Sequence, residues 1–448
     1  MDDRLQDLAA RLIDAAHKAG AGAADAIAID GTSISIDVRG GALEQAERAE
    51  GTDIGLGVLI GQRQGCVSAS DTSADTIRTM AERAVAMARE APEDRHIGLA
   101  DPGQLANGWD IAALDLADPA PEPAPQALED AARAAEAAAL AVDGVAQVDS
   151  SSASYGRRNI HLAASNGFSG GYARTSHSLF CVAITGEGTG MERDYFGEMR
   201  LHAADMPGAE DIGRAAGERA AARAGARKPP SGAFPVIYDE RVASGLIGHL
   251  LSAVNGSAIA RGSSWLRDAL GAQVLPGSLG ITENPHRPRA PGSRPFDAEG
   301  LPTARRDIVA GGVLQGWTLD LATARKLGLQ STANATRGAT APPSPGVTNI
   351  ALTQGTKGRE ELMAEMQTGL LITSLIGASI NPTTGDYSRG ASGFSVENGQ
   401  IAYPVTECTP AGNLHELLRS MTPANDAKTH RSHIVPSLLV EGLVLAGG

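Results

Sequence analysis

ADAIAIDGTSISIDVRGG, residues 24–41, decides the fold class. Its Ile and Val residues alternate with small or polar ones, the period of two expected of one or two β-strands. The next stretch, LEQAERAEGTDIGLGVLIGQRQGCVSAS (43–70), keeps the alternation between glycine turns and reads as an antiparallel meander. Helices flank these strands. Leu5, Leu8, Leu12, Ile13 and Ala16 make one stripe over residues 3–19, and Ile77, Met80, Ala81, Ala84 and Met87 do the same over 73–90. An irregular excursion rich in Pro, Asp and Ala (91–123) precedes a further helix expected over about 125–142. Strand alternation returns from 145 to about 201, and an Ala/Arg helix follows at 209–225.

ARKPPSGAF (226–234) is the best linker, because Pro229-Pro230-Ser231-Gly232 cannot continue a helix. It divides the 448 residues into 1–228 and 229–448, and two domains are the expectation for this length. The second half is a series of short alternating runs punctuated by Gly and Pro, such as DIVAGGVLQGWTLDL, LLITSLIGASI and HIVPSLLVEGLVLAGG. That texture suggests a curved or partly closed sheet. The expected class is α+β: an N-terminal domain of antiparallel sheet with long helices, then a C-terminal β-rich domain, curved or barrel-like.

Hydrophobic content of 42% and charged content of 20% are those of a soluble globular protein. Aromatics at 3% and 54 glycines favour small-residue packing and tight turns over an aromatic recognition surface. The formal net charge of −14 repels phosphate backbones and anionic lipid, so neither nucleic acid nor a membrane is an expected partner. No apolar run approaches the roughly 20 residues that span a bilayer. The N-terminus is acidic and amphipathic, without the apolar core of a signal peptide. Cys66, Cys181 and Cys408 show no CxxC spacing, which fits a reducing compartment; the expected location is cytoplasmic.

DERVASGLIGHLLSAVNG (239–256) is the stretch with candidate chemistry. It reads as a helix with Val242, Leu246, Leu250 and Ala253 on its apolar side, Asp239 as cap and Asn255-Gly256 as stop. Gly245 and Gly248 interrupt it, each costing about 1 kcal/mol relative to Ala. His249 alone is more often a packed histidine than a ligand. The run Gly55–Leu56–Gly57 through Gly61 lacks the strand–turn–helix setting of a nucleotide loop, so structural use in a sheet is favoured. GASGF (390–394) ends in Phe where a nucleophile elbow needs Gly. His430 and His433, in THRSH, have no acid or thiol beside them and read as a solvated turn. Cys408 reads as a small buried hydrophobe.

The chain as a whole resembles the TldD/PmbA family, and its PmbA (TldE) branch in particular. The residues that carry this are DIVAGG (307–312), QSTANATRG (330–338), NPTTGDYSRGASGF (381–394), ENG (397–399), YPV (403–405), AGNL (411–414) and the closing VEGLVLAGG. GTDIGLGVLIGQRQGCVSAS (51–70) is similar too, and the 91–123 excursion is least covered. The resemblance implies that TldD-type chains carry H-E-x-x-x-H on a helix, with zinc and a general base, and work with a TldE-type chain that lacks the motif. In this chain Ser244 stands at the first His, Gly245 at the Glu and His249 at the second His. The family's third ligand, a cysteine near the C-terminus, has no counterpart after Cys408.

Helical histidines at i and i+5 lie about 140° apart and converge only if a turn widens. A retained irregularity at Gly248 is therefore expected. On this reading the chain holds no cofactor of its own, zinc being expected in a TldD-like metalloprotease partner, and it binds a peptide substrate within a homo- or hetero-oligomer. Sheet edges of the C-terminal half would take an extended peptide by strand addition. Candidate contacts are Asn334, Thr336 and Arg337 in a loop, with Asp386, Tyr387 and Arg389 in the GDYSR turn; turn capping and an internal Arg–Asp pair would use the same residues structurally. Two alternatives stay open. One is an autonomous homo-oligomeric hydrolase using His249 with Cys408 or His430/His433; the other is a gyrase-associated modulator.

Overall fold

In the computed structural model, which describes residues 3–446 and so excludes the final two glycines of VEGLVLAGG, α1 (Asp3–Lys18) leads into β1 (Ala23–Arg39). The alternation of 24–41 is thus one long strand. Gly40 and Gly41 have φ of 60° and 72°, the left-handed pair that a two-residue hairpin demands. β2 (Ala42–Ile60) then returns along β1. The Glu136 carboxylate accepts both glycine N–H groups, at 2.6 and 2.8 Å, tying this hairpin to the Ala-rich helix. β3 (Arg63–Ala69), α2 (Ala74–Glu90), α3 (Ile111–Leu114), α4 (Pro125–Leu140), β4 (Val145–Ala164), β5 (Ser169–Thr185), β6 (Glu192–Arg200) and α5 (Ala209–Ala221) complete this half. The strands form one antiparallel sheet ordered β3-β2-β1-β4-β5-β6. Even-numbered β1 residues are buried under α1 and α2 at one end and under α4 and α5 at the other. The four long helices α1, α2, α4 and α5 therefore cover one face. The other face presents Ile27 and Leu162 to Phe296 of the C-terminal half.

That half begins with β7 (Gly232–Tyr238), α6 (Glu240–Ala253) and α7 (Gly256–Ala260). Short elements follow: β8 (Ile281–Glu283), β9 (Arg306–Ala310), β10 (Val313–Leu314), α8 (Leu321–Leu327), β11 (Ala335–Thr336), β12 (Ser344–Pro345), β13 (Ile350–Leu352) and α9 (Arg359–Met366). Then come β14 (Gly369–Ile380), β15 (Asp386–Glu397), β16 (Gln400–Asn413), α10 (Leu414–Ser420), β17 (Thr422–Pro423), β18 (His433–Ile434) and β19 (Leu438–Ala446). The order β16-β15-β14-β7-β19 closes on itself, because Thr409, Pro410 and Ala411 of β16 pair with Ala446, Leu445 and Val444 of β19. The curved sheet is a closed barrel. Closure is short: β16 meets β19 only at Thr409, Pro410 and Ala411, and β14 meets β7 only at Leu370, Leu371 and Ile372. A second sheet, β10-β9-β8-β13-β18, lies beside it. The linker joins the barrel early: Arg227 N–H donates to Pro404 O at 3.2 Å, and its guanidinium stacks 3.6 Å from the Tyr403 ring. No helix among the described residues is long and apolar enough to cross a membrane.

Three local expectations need correction. α6 is continuous α-helix through Gly248, without a widened turn; with serine in place of the first ligand, no pair of side chains has to converge. Asn255 does not simply stop α6 but caps α7, its side chain accepting from Ser257 N–H at 2.9 Å. Asp386, Tyr387 and Arg389 lie on β15, the turn itself being residues 381–385.

The two halves meet through glycine contacts and buried ion pairs. A Cβ on Gly55 would sit 2.3 Å from the Ala339 carbonyl oxygen, and one on Gly57 would sit 2.5 Å from the Asp25 carboxylate. Asp25 in turn pairs with Arg337, whose side chain is 1% exposed. At the other end Asp194 of β6 binds Arg241 at 2.8 Å, and Arg241 with Arg359 brackets the Asp239 cap. Glu198 of β6 accepts from His430 at 3.0 Å and from Arg200 at 2.5 Å.

Two outcomes are expected. Gly55→Ala should cost about 1–3 kcal/mol by overpacking in urea denaturation, whereas Gly51→Ala, with nothing within 4 Å of its Cβ, should be near neutral. Burial alone would raise the Glu198 pKa, but the His430 and Arg200 hydrogen bonds outweigh it and hold it at about 2, below its ordinary 4.5. A depressed carboxylate stabilises the fold above its unfolded pKa and loses that contribution as pH falls. The stability gap between the wild type and Glu198→Gln should therefore be present at pH 4.5 and shrink as pH falls from there toward 2.

Candidate functional site

α6 packs Ala243, Leu246, Ile247, Leu250 and Leu251 into the core shared with Val236, Leu370 and Ile372 of the barrel. Its remaining side carries Ser244, Gly245, Gly248 and His249, all partly exposed. Gly245 and His249, one turn apart, face β15. A Cβ on Gly245 would lie 3.7 Å from Arg389 Nη1. The His249 ring meets Tyr387 edge-on, centroids 5.8 Å apart, and Tyr238 at the end of β7 donates its hydroxyl to Tyr387 at 3.2 Å. His249 Nε2 is buried without a hydrogen-bond partner. Burial first, and the Arg389 cation second, push the His249 pKa below its ordinary value, so the ring is held neutral. Tyr387 is pushed up, chiefly by burial.

The thiol of Cys408, on β16, donates to Ala391 O at 3.2 Å and is pushed up by burial to about 11. It is a poor thiolate. His430 is held by Glu198, and His433 lies on β18 with its pKa lowered by burial. The two histidines of THRSH thus serve different contacts. Among the described residues no three His, Cys, Asp or Glu side chains converge as a metal site.

The loop candidates fare differently from one another. Asn334 is 2% exposed and donates to Glu283 at 2.9 Å and to Gly346 O at 3.1 Å. Thr336 donates to Ser344 O at 3.1 Å. Arg337 is buried against Asp25, and this burial lowers its pKa to about 10. This ion pair spans the two halves and is not one among the candidate residues themselves, since Asp386 and Arg389 each bond elsewhere. On β15, Asp386 accepts from Thr384 at 2.6 Å and from Asn413 at 3.1 Å, and these bonds lower its pKa. Arg389 Nε donates to Gly377 O at 2.6 Å. Tyr238 was not marked by the sequence: it is one more apolar residue at the end of a strand, and only the fold sets it beside Tyr387.

Three family models cover most of the chain: PmbA/TldA metallopeptidase domain 1 at residues 24–88, the central domain at 117–224 and the C-terminal domain at 231–447. Metalloprotease PmbA of Escherichia coli O157:H7 is 37% identical over 93% of this chain and 90% of its own length. The crystal structure of a candidate modulator of DNA gyrase from Bacteroides thetaiotaomicron superposes with a TM-score of 0.92 over 100% of both chains, at 29% identity. TldE from Thermococcus kodakarensis shares the fold, with a TM-score of 0.86 over 98% of this chain and 100% of its own, at 19% identity. Model matches along nearly the whole length, a full-length relative at this identity and a common fold together make the chain a member of the PmbA/TldD family, on its PmbA/TldE side.

Proposed function

We propose that this protein is the TldE-type, non-catalytic subunit of a two-chain metalloprotease, working beside a TldD-like chain on unfolded or small peptides. Family membership and metalloprotease relatives support a protease-related role. The carrying observation for the finer reading is the α6–β15 contact. A catalytic zinc needs about three protein ligands and an open position, with a base for the water proton. Here Ser244 and Gly245 supply neither ligand nor base, His249 is one ligand, and the Arg389 cation lies against the same face. A guanidinium beside the site opposes a divalent ion by simple repulsion. The residues present do not fit zinc, and no step of hydrolysis is routed through them.

The autonomous hydrolase has less behind it. His249 and Cys408 share no hydrogen bond, the thiol titrates high, and His430 serves the seam between the halves. For the gyrase reading, the modulator name belongs to the Bacteroides protein, and a net charge of −14 disfavours direct DNA contact. Three free, unpaired cysteines support a reducing cytoplasm as the working place. Asp386 and Arg389, the less buried of the β15 candidates, are the proposed peptide contacts on this side of the barrel.

The test pairs metal analysis with peptide cleavage. The purified chain should carry well under one zinc and cleave nothing alone; with a TldD-like chain, cleavage should appear, vanish on chelation and survive His249→Ala. Chelator-resistant cleavage by the isolated chain that is lost in His249→Ala would overturn the reading.

A further inference from the structure

A cleft of about 340 Å³ runs between the free face of the N-terminal sheet and the segments 292–298 and 336–348. It takes no part in the reading above. Its floor is set by strand register: Arg158 of β4 stands directly opposite Arg174 of β5, and Ile160 opposite Tyr172, on the same face. Like charges directly opposed across a ladder destabilise a sheet. Arg158 is exposed, and among the described residues no carboxylate pairs with it. Arg174 spends Nη1 and Nη2 on the neutral carbonyls of Pro291 and Ser293, both at 2.6 Å, and its buried Nε has no partner.

The roof repeats the pattern. Arg294 is 8% exposed; its Nη1 donates to Ala335 O at 2.8 Å, while Nε and Nη2 find no acceptor. Arg337 lines the cleft beside it. Three carboxylates act on these guanidinium groups. Asp25 is engaged by Arg337, Asp297 accepts the N–H groups of Glu299, Leu301 and Ala335, and Glu283, which acts on Arg294, is bound by Arg306 at 2.7 Å. Four arginines against three acids, one of them already neutralised by Arg306, leave a cationic cleft in a strongly acidic chain. Guanidinium forks match planar oxyanions, and Ile27, Ile160 and Val347 give the cleft an apolar side.

We propose that this cleft binds a small organic carboxylate bearing an apolar group, its carboxylate held by Arg158 and Arg174 at the mouth with the Arg294 charge behind, and its apolar part on the isoleucines. The volume is that of ordinary small-ligand sites. The proposal stands without the protease reading, since it concerns binding by this chain alone.

Calorimetric titration tests it with N-acetyl-Leu-Phe as free acid, the same compound as its C-terminal amide, and inorganic phosphate. The free acid should bind saturably and more weakly as salt rises, and the amide should not bind. Arg158→Ala, a change at an exposed side chain that should leave thermal unfolding intact, should weaken the acid about tenfold, the worth of one charge-assisted hydrogen bond. Equal binding of acid and amide, no binding of either, or an unchanged affinity in Arg158→Ala would overturn the proposal. So would binding of phosphate alone, because the apolar side would then have no part.

Discussion

The contact on which the rest depends is the seating of residues 337–339 against β2. It combines two requirements that only work together. The backbone of Ala339 reaches β2 because Gly55 has no Cβ, and the Asp25 carboxylate fits beside Gly57 for the same reason. That approach carries Arg337 out of water and onto Asp25. Removing either partner of such a pair leaves a lone buried charge, a loss of about 3–5 kcal/mol. Pairs of this kind add little net stability over apolar packing. This one joins the N-terminal sheet to the segment after β11. Arg325, donating to the carbonyls of His96, Gly98 and Leu99, and the exposed Arg289, bound to Asp115, add contacts between the excursion and the C-terminal half.

How the glycines are used shows what the sequence could and could not tell. Periodicity found the strands and the four helices of the N-terminal half, since amphipathic spacing is a local property, and it suggested the curved C-terminal sheet. It was silent on the pairing of β16 with β19, which joins residues over thirty apart and needs no signature beyond ordinary strand composition. The glycine run in 55–61 was legible as structural, yet its reason was not: the occupant of the space is Ala339, nearly three hundred residues away. Among the site residues, His249 was visible as a lone titratable group on a helix. Its neighbours Tyr238, on β7, and Tyr387 and Arg389, on β15, come from two other points in the chain, and long-range register brings them together.

The helix α6 illustrates a division between fold and chemistry. Everything that fixes its position is intact: the Asp239 cap gripped by Arg359 and Arg241, and the buried stripe from Ala243 to Leu251. None of these contacts uses the face that holds Ser244, Gly245 and His249. A scaffold that does not use this face keeps its place whatever the face carries, and among the described residues no three His, Cys, Asp or Glu side chains converge there as a metal site. Arg389 lies in front of Gly245, and burial first, with this cation second, lowers the pKa of His249.

The barrel closes over short seams, β16 on β19 at residues 409–411 and β14 on β7 at residues 370–372. At its rim Asp386 is tied to Thr384 and Asn413, and Arg389 to Gly377. These bonds hold both charges in fixed positions, so little side-chain entropy remains to be lost on meeting a ligand. The interdomain cleft lies on a different surface; two of its arginines, Arg174 and Arg294, are held by neutral carbonyls, while Arg337 is paired with Asp25. Carbonyl partners orient a guanidinium without cancelling its charge, and a chain that uses them for Arg174 and Arg294 keeps a positive field in one place despite an overall charge of −14.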